Sequence, residues 1–186
     1  MTVINILKLV CEYVGEKEIC EKLKSETELT DAEEAKLSQM LDALNVVRQS
    51  IACDYVPFVF KEDINVSGGV LAFDTLSKTV IHIFEVKNKL GFNLRFKTYP
   101  NFIEIFGNGK TIVYSYLPED LTLSSEVPIL NGISASIYAF GTAAEYLGME
   151  GISGEEVDYF DERFKSALFA LSGKRGVFKL PQRTWR

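Results

Sequence analysis

Apolar positions recur at helical spacing in the first third of the chain. Val3, Ile6, Leu7, Val10, Cys11 and Val14 follow one another at intervals of three and four, which predicts an amphipathic helix ending near Gly15. Glu16–Ser25 reads as a second helix with Ile19 and Leu23 inward. Thr30 followed by Glu33 has the spacing of a capping box, in which each side chain reaches the other's backbone N–H. A long helix is expected from there. Leu37, Leu41, Leu44, Val47 (or Arg48), Ile51 and Tyr55 form its stripe, and Pro57 stops it.

The period then changes to two. In FNLRFKT, Phe92, Leu94 and Phe96 alternate with Asn93, Arg95 and Lys97, the pattern of a half-buried antiparallel strand. TVIHIFEV (79–86) is apolar on both faces, as a central strand would be, and KNKLG joins it to FNLRFKT. FIEIF and KTIVYSYL flank GNG, which predicts a hairpin. FVFKE and GVLAF add one or two short strands, and LPEDLTLSSEVPIL (117–130) is a proline-bounded connector. Helical spacing returns in 130–147, with Ile133, Ile137, Phe140, Ala144 and Leu147 on the richest face. Ser153 is placed to cap a last helix, whose stripe is Val157, Phe160, Phe164, Leu168 and Leu171 and whose end is Gly173.

The order helices, meander, helices predicts an α+β fold. N- and C-terminal helices (1–57 and 129–173) form a bundle, an antiparallel β unit with its connector (58–128) is inserted, and an extended arm (174–186) follows. A chain of 186 residues with 47% hydrophobic and 12% aromatic content has enough apolar side chains for a core. No apolar run approaches the ~20 residues of a membrane helix. The N-terminal segment lacks a basic leader and a cleavage site, so a cytoplasmic protein without membrane association is expected.

Charge is uneven. Residues 174–186 hold five bases and no acid, while the whole chain carries a net −6. An acidic body argues against phosphate-backbone binding by the domain as a whole. The basic strip also carries Val177, Phe178, Leu180 and Trp185, which are costly to leave in water, and Pro181 keeps it extended. Arg183 and Arg186 flank the tryptophan, and Arg and Trp are common anchors of protein interfaces. These six apolar and arginine residues are the expected interface site; a frayed terminus and a nucleic-acid arm are the alternative readings of the strip.

Candidate chemistry is sparse. GNGKT (107–111) resembles the end of a phosphate-binding loop, but Glu104 stands where the motif needs glycine and no helix follows. His82 is the single histidine and has no nucleophile motif beside it. Asp158, Asp161 and Glu162 share a helix turn as a solvated face, and Glu145 either pairs with a base or faces solvent. Cys11, Cys20 and Cys53 match no metal or redox spacing and read as buried free thiols. No catalytic, cofactor or metal site is expected, and the protein is not expected to be an enzyme.

Several stretches, taken in order, carry a family resemblance. LNVVRQSIACDYVPF leads into the β unit. VYSYLPEDLTLSSEVPIL follows it, then an apolar helix ending AAEYLGMEG, then EEVDYFDERFKSALFAL and the closing LPQRTW. This succession resembles the head–tail adaptor (connector, head-completion) proteins of tailed bacteriophages and prophages. The resemblance implies a structural virion protein that forms a ring, dodecameric in the typical case, between the portal protein and a tail-proximal neck protein, and it allows a monomer before assembly. DNA would pass through it without sequence-specific binding. It also implies assembly in the bacterial cytoplasm, a place at the head–tail junction of the virion, and a docking role for 173–186. The alternatives are another tail or baseplate protein, or a non-viral protein- or glycan-binding module.

Overall fold

In a computed structural model, which describes residues 1–128 and 132–172, the chain begins with three helices. Helix α1 (Val3–Tyr13) starts where Thr2 Oγ1 accepts the Asn5 N–H at 3.3 Å, and it buries Val3, Ile6, Leu7, Val10 and Cys11. Gly15, at φ 79°, turns the chain after it. Helix α2 (Lys17–Ser25) ends at Glu26 in the left-handed conformation. The capping box then opens α3 (Asp31–Ser50): Glu33 Oε2 accepts the Thr30 N–H at 2.7 Å, and Thr30 Oγ1 accepts the Glu33 N–H at 3.4 Å. A π-helical turn, Ile51–Tyr55, continues α3 toward Pro57. It changes the helical phase and leaves Cys53 exposed, against the expectation of a buried thiol.

Two helices close the described chain, α4 (Ala135–Met149) and α5 (Glu155–Ser172). Phe160, Phe164 and Leu168 are buried on α5 as the stripe predicts. On α4 the buried residues include Tyr138, Ala139, Thr142, Ala143 and Tyr146, whereas Ile137, Phe140 and Ala144 are only half-buried. The deepest face is therefore rotated from the expected one. The cause is that α4 packs against both α1 and α5, and its small residues admit both. Ser153 is not the residue that precedes α5: the Asp158 N–H donates to the Gly154 carbonyl at 3.1 Å.

Between the helices lie four antiparallel strands, β1 (Val59–Ala72), β2 (Val80–Lys87), β3 (Arg95–Thr98) and β4 (Phe102–Tyr116). β4 is central. β1 runs along one of its edges, while β2 and β3 share the other, opposite 111–116 and 103–106 respectively. FIEIF and KTIVYSYL are therefore one strand, and GNG is no hairpin turn. The glycines sit where β4 changes partner and where β1 shifts register, between Asp63 and Val66 and between Ser67 and Gly69. The inner-face residues change phase there, from Ile103 and Ile105 to Ile112 and Tyr114, as bulges allow. A Cβ on Gly109 would lie 3.3 Å from Ile64 Cδ1, so the core closes over the bare backbone.

Two further expectations change. TVIHIFEV supplies an edge strand, not a central one, and its second apolar face leaves Ile81 and Phe84 exposed. Phe92 leaves the alternating pattern because the Asn88 turn captures it. Asn88 Oδ1 accepts the N–H groups of Leu90 and Phe92 at 2.9 and 3.0 Å.

The chain thus has an α+β fold and divides into two compact units, 1–44 with 123–186 and 45–122. The boundary falls inside α3, where the sequence division stood at 57. The end of α3 is tied to the connector: Asn45 donates to and accepts from the Leu121 backbone at 3.3 and 2.7 Å. Arg48 donates to the Glu119 carbonyl and lies over the Phe58 ring. Beyond it, 125–127 pairs with the start of the chain, the Val127 N–H donating to the Met1 carbonyl at 2.7 Å. The expected arm, and with it Val177, Phe178, Leu180, Arg183, Trp185 and Arg186, lies outside the described residues.

Candidate protein-interaction surface

His82 is exposed on β2 with its ring edge-on to Phe84 at 5.3 Å, and its carbonyl accepts from Ser115 Oγ at 3.3 Å. Asp161 pairs with Lys165 at 2.6 Å, Asp158 and Glu162 are exposed, and Glu145 is half-buried on α4. No group of three or more His, Cys, Asp or Glu among the described residues is arranged to hold a metal ion. GNGKT lies within β4 and opens no helix. Burial pushes the Cys11 thiol up to about 12, helped by Cys20 and Glu16, so it stays protonated and unreactive near neutral pH.

The most constrained polar group is structural. Glu62 on β1 accepts from Tyr114 Oη on β4 at 2.8 Å and from the Ser77 N–H at 3.2 Å. Burial pushes the Tyr114 phenol up to about 12, and the bond to Glu62 adds to it. Burial alone would raise the Glu62 carboxyl, but hydrogen bonds from Ser77 and Tyr114 outweigh it and hold it below its ordinary value. The trio ties the two long strands to the turn after β1.

A different arrangement forms around β3. Arg95 lies opposite Phe106, and Lys97 opposite Glu104, so these four share the outer sheet face. Val70 extends the Lys97–Glu104 row on the far side of β4. Phe106 is half exposed and Val70 more so. Leu94, Arg95, Phe96, Lys97 and Phe106 line an open groove of about 750 Å³. Beside it the Asn88 turn holds Leu90 at 80% and Phe92 at 66% exposure. Apolar side chains this exposed on hydrogen-bonded backbone are characteristic of a contact surface.

The charge here is also distinctive. Lys87, Lys89, Arg95, Lys97 and Lys110 are accompanied between 87 and 110 by one acid, Glu104. The unit 45–122 as a whole is neutral, with eight acids and eight bases, so its bases are segregated toward this end of the sequence. This surface is hidden in the sequence because Arg95 and Lys97 read as the solvated face of a strand. Counting charge between Val86 and Thr111 alone would have exposed it. No family model matches the chain, and no curated protein matches it. Among the described residues, no helix is long and apolar enough to cross a membrane.

Proposed function

We propose that the protein is a structural subunit of the head–tail junction of a tailed bacteriophage or prophage, a ring-forming adaptor between portal and tail. The observation that carries this reading is the plan of the chain: helices from both ends form one unit, and an antiparallel sheet unit is inserted between them. The same order of elements underlies the sequence resemblance. Exposed apolar residues on ordered elements of both units, among them Phe92, Phe106 and Tyr159, suit a protein that works by contact with others. The strip 173–186 is the proposed portal-docking or neighbour-docking arm. Many copies would surround a channel whose acidic walls let DNA slide through instead of gripping its phosphates.

The test is to mix the purified chain with portal rings of the virus or prophage that encodes it. Co-migration with the portal, lost when 174–186 are deleted from a variant that still folds, supports the adaptor role. Full-length protein that never binds the portal yet is found in the intact tail refutes that role and favours a tail or baseplate component.

A further inference from the structure

We infer that the basic, aromatic surface around β3 docks onto the acidic α4–α5 corner of a second copy of this chain. The first surface has been described: Arg95 and Lys97 beside Phe106 on the outer sheet face, with Phe92 exposed on the adjoining turn. The second begins where α4 ends. Between Glu150 and Glu162 there are six acids and no base. Glu155, Glu156, Asp158 and Glu162 are all exposed. Ile152 and Tyr159 lie among them at 45% and 50% exposure. Each surface thus sets exposed apolar groups among charges mostly of one sign, with Glu104 opposite Lys97 in the first and Arg163 over the Tyr159 ring in the second, and the two balances are opposite.

A second copy fits better than a polyanion. Residues 1–44 and 123–186 together carry eighteen acids and twelve bases, a net −6 that disfavours a nucleic acid but suits the basic surface of a neighbour. The two patches are different, so the contact is heterologous, joining the head of one subunit to the tail of the next. Such contacts make rings when the rotation closes and filaments when it does not. The pairing stands on the surfaces themselves; its place as the subunit contact of a ring rests on the adaptor reading.

Charge-reversal variants of the full chain test it: Arg95→Glu with Lys97→Glu, and Asp158→Lys with Glu162→Lys. All four positions are exposed, so helical and near-ultraviolet circular dichroism should match the parent. Sedimentation at low salt, from micromolar to millimolar, should show concentration-dependent association of the parent that weakens as salt rises. Each double variant alone should associate at least ~10-fold more weakly, because it sets like charges against each other. Mixed in equal amounts, the two variants should associate again. A parent monomeric over the whole range, or variants that mixing fails to rescue, would overturn the contact. So would association lost on deleting 174–186 but kept in Arg95→Glu/Lys97→Glu. Binding of an oligonucleotide by the monomeric parent, lost in that variant, would make the β3 surface a polyanion site. Rescue by mixing with filaments in place of rings keeps the contact and counts against the adaptor reading. Portal binding without self-association does the reverse.

Discussion

In the helical unit Tyr13 stacks on Phe140 and Phe160 at ring separations of 5.1 and 5.8 Å, so its core closes only when the first and last thirds of the chain have met. In the sheet unit every strand finds its partners between residues 59 and 116. The difference shows how a long insertion is tolerated. β1 and β4 are antiparallel, and Val59 faces Ser115, so the chain enters and leaves the sheet at neighbouring positions. Once that ladder forms, the ends of the helical unit are separated by a short effective loop, and closure costs less entropy. The sheet unit is expected to fold first, with the helical unit following.

Core deletions should break this comparison most strongly. Leu7→Ala in the helical unit and Ile112→Ala in the sheet unit each remove a fully buried side chain and should cost about 2–5 kcal/mol in urea unfolding. The folding order adds a kinetic expectation. Ile112→Ala should slow refolding, and Leu7→Ala should mainly speed unfolding. Equal slowing by both would contradict the order.

Gly109→Val probes the change of partners along β4. The new side chain would meet Ile64, Val86 and Ile105, and about 1–3 kcal/mol of overpacking strain is expected, read as a lower urea midpoint. A neutral result would mean that the strands shift freely there.

The units should also respond differently to pH. Tyr114 is held neutral in the sheet unit, with its value raised from 10.0 to about 12. Its contribution is complete below pH 10 and is lost as pH rises toward 12, because the unfolded phenol ionises first. Tyr114→Phe should cost about 1 kcal/mol at neutral pH and flatten that alkaline decline. In the helical unit, hydrogen bonds from Lys22 and Thr30 hold Glu33 down, from 4.5 to about 2. Its contribution is present above 4.5 and is lost as pH falls toward 2. Glu33→Gln should flatten the acid limb, and thermal melts from pH 2 to 6 would show it. Thr30→Ala removes one side of the capping box and should have a modest effect, about 1 kcal/mol by thermal melting.

The helices were legible because each announces itself locally. Thr30 and Glu33 stand three apart, and Val3 to Cys11 follow the helical period. The sheet was legible as a sheet but not in its pairing. GNG carries the residues of a turn, and only the tertiary ladder, with β1 spanning both halves, shows that the glycines serve a bulge and a close approach of Ile64. TVIHIFEV looked central because two-sided apolarity marks burial on both faces, whereas here the second face leaves Ile81 and Phe84 exposed. In the terminal strip basic and aromatic residues are close together in sequence, so an interface is legible there without a fold. Around β3 the same chemistry is dispersed over a turn and two strands, and it comes together only through the pairing of Arg95 with Phe106.

The proposed subunit assembles through its surfaces at a portal. Electron microscopy of the chain mixed with its portal rings tests this most directly. The account predicts a second ring of this protein stacked on the portal. Bare portal rings beside dispersed monomers, at concentrations where both proteins are folded, would contradict it.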